Sequence, residues 1–180
     1  MLQFVASPIL VACVALTSAD VREASPDSIA QSVRVSIAVP EHYGKRSIGK
    51  DGEFHVVITN EGAAPVALWR EWCSWGYFNL TFEIVDESGA PVATINKHMR
   101  AWTKNYPDWM RIEEGDHAIR TVKLFDSETW DNAALFDENG EPHKTLRMRA
   151  VFSIPRDNET QEHNVWVGSC VSPIREYVVE

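Results

Sequence analysis

The chain has 180 residues, 44% of them hydrophobic and 24% charged, a balance that excludes a disordered polypeptide and a membrane-spanning one and leaves room for one domain with its own core. Its formal net charge of -9 argues against nucleic acid as a partner, because phosphate binding needs a positive face that releases counterions.

Residues 1–19 carry no charged side chain, and their apolar stretch over 4–16 is too short to span a bilayer. Thr17-Ser18-Ala19 offers the small residues that a signal peptidase reads, so 1–19 is expected to be a signal peptide and the protein to be exported. A rival reading of the same stretch takes Leu10-Val11-Ala12-Cys13 as a lipoprotein processing box, with Cys13 acylated and the lipid serving as an anchor. Residues 20–31 are polar and aperiodic, a tether, and 32–180 are expected to form a single domain. Cys73 and Cys170 then remain as a pair. In an oxidising compartment they form either a disulfide, worth about 4 kcal/mol by loop-closure entropy, or two unpaired buried thiols.

The elements follow in chain order. Val33, Val35, Ile37 and Val39 alternate with more polar neighbours, as in a half-buried strand. A strand over 54–59 follows the Asp51-Gly52 turn and closes on Asn60-Glu61-Gly62, read as a second turn with positive φ. Residues 65–68 restart an extended run, and 79–96 form a hairpin about Asp86-Glu87-Ser88-Gly89. Met110 with Ile112, then 119–125, 146–154, 165–167 and 174–179, complete about nine strand signals. The best helix candidate is brief, 127–135, with Ser127 as cap and Trp130, Ala133 and Ala134 facing inward. These signals predict an all-β fold: an antiparallel, immunoglobulin-like β-sandwich of about 8–9 short strands with at most one or two short helices.

Asn60-Glu61-Gly62-Ala63-Ala64-Pro65-Val66, the 82–92 hairpin with its Asp86 and Gly89, Glu114-Gly115, and Val165-Trp166-Val167-Gly168 followed by Val171-Ser172 resemble a family of exported bacterial β-sandwich proteins without an assigned activity. That resemblance covers most of the chain after Ser32 and implies the fold alone. More distantly, the layout of 54–130 is similar to the proteinase-inhibitor domain of the BsuPI type, itself an immunoglobulin-like sandwich, with no inhibitory loop to carry over.

Trp69, Trp72, Trp75, Trp102 and Trp109, five of the seven tryptophans, cluster with Tyr77, Phe78 and Tyr106. The spacing of Trp69, Trp72 and Trp75 puts the three on one side of a single helical turn. Such rings either plug the end of a small sandwich or form an exposed platform for sugar faces or for a partner protein's side chains. Candidate contact residues are Trp72, Trp75, Tyr77, Trp102, Tyr106 and Trp109, with Arg100 and Lys104 from a basic island that also holds Lys97, His98 and Arg111. That island either docks an anion or is a solvated face with an arginine stacked on Trp102 or Trp109. The acidic loop Asp137-Glu138-Asn139-Gly140-Glu141 lacks the ligand spacing of an EF-hand, and the six histidines form neither H-x-H nor H-E-x-x-H. There is no G-x-S-x-G elbow and no phosphate-cradling glycine loop. No cofactor, metal or catalytic residue is therefore expected, and the leading reading is a non-catalytic binding or structural module with a protein or carbohydrate ligand. An inhibitor-like domain and a hydrolase whose site assembles only on folding are the alternatives.

Overall fold

A computed structural model describes residues 32–180, so the expected signal peptide, the tether and Cys13 lie outside the described residues. Twelve strands and two short helices follow in chain order: β1 (Val33–Ala38), β2 (Glu41–His42), β3 (Lys45–Ile48), β4 (Glu53–Asn60), β5 (Val66–Trp69), α1 (Ser74–Tyr77), β6 (Leu80–Val85), β7 (Pro91–Ile95), β8 (Trp109–Ile112), β9 (His117–Lys123), β10 (Thr145–Ile154), α2 (Asn158–Glu162), β11 (Gly168–Val171) and β12 (Arg175–Val179). A 3₁₀ turn, Ala133–Leu135, interrupts the connection between β9 and β10. The fold is mostly β. No helix among the described residues is long and apolar enough to cross a membrane.

Two sheets share one interior. The first has the order β1-β4-β9, and the second β2-β3-β12-β10-β6-β7 with β11 on the far half of β10. In β4, Phe54, Val56 and Ile58 face inward, and in β10 so do Leu146, Met148, Ala150, Phe152 and Ile154. The period-two alternation puts these rows on facing surfaces. The rings of Phe54 and Phe82 meet edge to face at 5.4 Å, with Trp130 at 5.4 Å from Phe82, so the layers are locked by aromatic contacts as well as by aliphatic burial. A third, two-stranded ribbon, β5-β8, stands at one end of the sandwich-like body and pairs Trp69 with Trp109.

The strand pattern departs from expectation in four places. Tyr43 and Gly44 both take positive φ, and this turn folds 41–48 into the small hairpin β2-β3, which has too few apolar residues to signal itself. That reversal brings β3 to β12 in the parallel sense, Val178 beside Ser47, so the second sheet is mixed rather than purely antiparallel. Residues 165–167 are not a strand: Val165 makes one parallel bridge to Ala67, Trp166 stacks on Phe152 at 6.0 Å, and the strand begins only at Gly168. Instead of a helix over 127–135 there is a turn capped by Asp126, whose carboxylate accepts from Glu128 N (3.0 Å) and Thr129 Oγ1 (2.7 Å). Trp130 is buried there as expected, but Ala133 and Ala134 are exposed.

The turn after β4 is held by a side chain rather than by positive φ, which Gly62 does not adopt. Asn60 is fully buried; its Nδ2 donates to Ala64 O (2.9 Å) and Ile112 O (3.1 Å), while Oδ1 accepts from Gly62 N (3.0 Å). It thereby fixes where the β5-β8 ribbon leaves the sheet. Asn60→Ala should lower unfolding free energy by about 2–3 kcal/mol, since one buried bond, to Ile112 O, and two part-buried ones, to Ala64 O and from Gly62 N, are lost at once. A urea denaturation midpoint within experimental error of the unsubstituted protein would contradict this.

Candidate functional site

The aromatic residues do gather at one end, but not on one helical turn. Trp69 ends β5 and is fully buried, Trp72 lies in the turn that follows, and Trp75 lies in α1. The break between strand and helix separates the three: Trp69 and Trp75 stay in contact at 6.0 Å, while Trp72 points outward and is 62% exposed. Gly76 makes this arrangement possible. A Cβ there would sit 2.0 Å from Arg70 O, so α1 can fold back on the end of β5 only with glycine at that position.

The anchor beneath is Arg120 of β9, which is 7% exposed. Its Nη2 donates to Trp69 O (3.2 Å), its Nη1 to Gly76 O (3.3 Å), and its guanidinium lies 5.1 Å over the ring of Phe152. Burial pushes its pKa down, and the Glu71 carboxylate and the Cys73 thiol oppose that. A guanidinium remains charged under such conditions.

Lys97 is the second buried cation. Its ammonium pairs with Glu71 and sits between the ring of Tyr77 (4.5 Å) and that of Trp130 (5.2 Å). Burial lowers its pKa from the usual 10.5, and Glu71 pulls it back up. Tyr77 is buried and meets Trp102 edge to face at 5.6 Å, and Arg100 lies 5.3 Å over Trp102. The expected basic island is thus taken apart side chain by side chain. Lys97 is internal, Arg100 is stacked on Trp102, Arg111 pairs with Glu113 at 2.8 Å, and Lys104 is exposed.

At the surface, Trp72 Nε1 donates to Asp108 Oδ2 (2.7 Å), with Arg70 stacked 4.9 Å over the indole. Ser74 N donates to Asn105 Oδ1 (2.9 Å), and Asn105 Nδ2 donates back to Ser74 Oγ (2.6 Å). These bonds tie the 97–108 loop to α1. Tyr106 is 74% and Trp109 42% exposed, whereas Trp75 and Trp102 are half-buried. The aromatic group therefore divides: Trp69 and Tyr77, with Trp130 beside them, plug the end, and Trp72, Tyr106 and Trp109 face outward.

The two thiols are free. Cys73 is buried at the start of α1 with Sγ donating to Arg70 O (3.1 Å), and Cys170 sits in β11, its pKa pushed up to about 11 by burial. The disulfide reading is corrected accordingly: one sulfur belongs to the aromatic end and the other to a strand of the second sheet.

A cleft of about 460 Å³ opens beside α1. Trp75, Phe78 and Asn79 line one side and Ser153, Pro155 and Asp157 the other, with Trp69 and Ser74 also contributing. Asn79 is 5% exposed, and its Nδ2 is the only buried side-chain polar atom among the described residues without a hydrogen-bond partner. An unpaired buried donor of this kind costs about 1–3 kcal/mol.

One trio among the described residues, Glu159, Glu162 and His163, brings three ligand atoms within 4.8 Å of one another. The i, i+3, i+4 spacing on α2 and its end produces it, a signal that H-x-H and H-E-x-x-H patterns do not cover. His163 Nε2 lies 3.5 Å from Glu159 Oε2 and its ring packs on Trp109 at 4.5 Å. In the acidic loop, Asp137 Oδ1 accepts from Asn139 N (2.8 Å) and Glu141 N (3.0 Å), which turns the carboxylate onto its own backbone.

Comparison with known proteins yields no matching family model and no matching curated protein.

Glu71→Gln should destabilise the fold by about 1–2 kcal/mol, a value reduced from that of a fully buried pair because Glu71 is half-exposed. In a Lys97→Met background the same change should cost less than half as much. Equal costs in the two backgrounds, measured as a double-mutant cycle, would show that Glu71 does not serve Lys97.

Proposed function

We propose that the protein is an exported, non-catalytic binding module built on an immunoglobulin-like sandwich, with the aromatic end as its contact surface for a protein or a glycan. The observation that carries this reading is the outward presentation of Trp72, Tyr106 and Trp109 from a rigidly braced end. Exposed indole and phenol rings on a fixed backbone bury large areas on contact at small entropic cost, which is why they dominate binding surfaces. Export rests on the signal-like composition of 1–19, and the resemblance to exported β-sandwich proteins agrees with it.

The test places a photoreactive benzophenone amino acid at Trp72, at Tyr106 and, as control, at Ile119, an exposed apolar residue on the outer face of the first sheet. The full chain is expressed in an exporting bacterial cell and irradiated. Adducts to protein or glycan should form from positions 72 and 106 and not from 119. Equal yields at all three positions, or none at any, would remove the aromatic end from consideration as a contact surface.

A further inference from the structure

We infer that Glu159, Glu162 and His163 form a site for one divalent transition-metal ion of the Zn²⁺ class, bound through one imidazole and two carboxylates with a further position open to solvent. The site adjoins Trp109 but does not depend on that residue's role in contact.

The helix α2 assembles the donors. Glu159 lies three residues before Glu162 and four before His163, so the side chains share one face. The backbone that carries them is fixed: His163 N donates to Glu159 O (3.0 Å), and the buried Thr160 exchanges bonds with Asp157, its N donating to Oδ1 (2.7 Å) and its Oγ1 accepting from Asp157 N (2.9 Å). The imidazole is held as well, with its ring centre 4.5 Å from that of Trp109 and 5.7 Å from that of Trp69. A ligand already braced in this way loses little freedom when an ion arrives.

The three ligand atoms lie within 4.8 Å of one another, and an ion can reach them: Glu162 is exposed, and the side chains of Glu159 and His163 keep 38% and 20% of their surface. At 3.5 Å the contact between Glu159 Oε2 and His163 Nε2 is longer than an ordinary hydrogen bond, and Glu162 pairs with no lysine or arginine among the described residues. Two carboxylates at i, i+3 repel each other until a cation lies between them. A surface Glu-His pair needs Glu159 alone, whereas the second carboxylate is what an ion requires.

The donors narrow the ion. Ca²⁺ takes about six to eight oxygen ligands, and Mg²⁺ also prefers oxygen, so an imidazole between two carboxylates suits neither. Without a thiolate the set favours a borderline divalent ion over a soft one. Zinc bonds of about 2.0–2.2 Å set tetrahedral ligands about 3.4 Å apart, so the two unbranched glutamate side chains need to draw in toward the braced imidazole by no more than about 1.5 Å.

The experiment strips the ¹⁵N-labelled full chain, made without a polyhistidine tag, with EDTA and titrates it with ZnCl₂, following heat and the ring nitrogens of His163. Binding should saturate at one equivalent with a dissociation constant of about 10 µM or tighter, and His163 Nε2 should shift more than Nδ1. His163→Ala and Glu162→Ala should each weaken it about tenfold or more, while His55→Ala, on the outer face of the first sheet, should bind as the parent does. A tenfold excess of CaCl₂ should not displace the zinc. Glu162 is exposed, so its variant should melt with the parent and keeps the test valid if His163→Ala fails to fold. The inference falls if zinc binds more weakly than this or leaves His163 unshifted, if Glu162→Ala binds as tightly as the parent, if His55→Ala weakens binding equally, or if Ca²⁺ displaces the ion. The adducts from positions 72 and 106 test the contact surface separately, so either result can fail without the other.

Discussion

One buried guanidinium, that of Arg120, sets the geometry of the aromatic end. Arg120 lies on the inward face of β9, between Ala118 and Val122, where an aliphatic residue would ordinarily complete the row. It donates instead to the carbonyl that ends β5 and to one within α1, and it stacks on Phe152 from the opposite sheet. Burying such a charge is costly unless its donors are satisfied. The chain segments that supply those acceptors are therefore held in place by the same interaction that makes Arg120 tolerable.

The remaining features of that end follow from this anchor. With Trp69 O and Gly76 O fixed, the turn through Arg70 closes tightly enough that only glycine fits at position 76, and Trp72 is forced outward while Trp69 is sealed in. Glu71, carried on the same turn, reaches Lys97 and lowers the cost of the second buried cation. Lys97 in turn fills the space between Tyr77 and Trp130, where an aromatic residue alone would leave the Glu71 carboxylate unpaired. The outcome is an end where Trp72, Tyr106 and Trp109 face outward while Trp69, Tyr77 and Trp130 are sealed in.

Most of the sheet framework was readable from side-chain period: β1, β4, β10 and the β6-β7 hairpin all sit where alternation and turn residues put them. The hairpin β2-β3 was not, because Tyr43 carries positive φ without a sequence signal for it and the strands are too polar to alternate. Within β9 the parity was available but easily missed. Ile119 looks like the core residue, yet Val122 and Leu124 fix the inward face and so commit Arg120 to it and Ile119 to solvent. The spacing of Trp69, Trp72 and Trp75 suggested a helix because nothing in it reveals that a strand ends at the first of them. The trio on α2 rests on a local i, i+3, i+4 spacing that neither H-x-H nor H-E-x-x-H covers, whereas the cleft beside α1 joins segments distant in sequence and had no local signature.

Arg120 fastens the aromatic end to the sheets. Native-state hydrogen exchange on Arg120→Met, which keeps the side-chain bulk over Phe152 while removing the donors, measures this directly. The amides of 70–79 should lose protection by about tenfold or more while those of β4 and β10 keep theirs. A loss shared equally by α1 and β10, or no loss in 70–79, would show that the guanidinium merely fills space in the core.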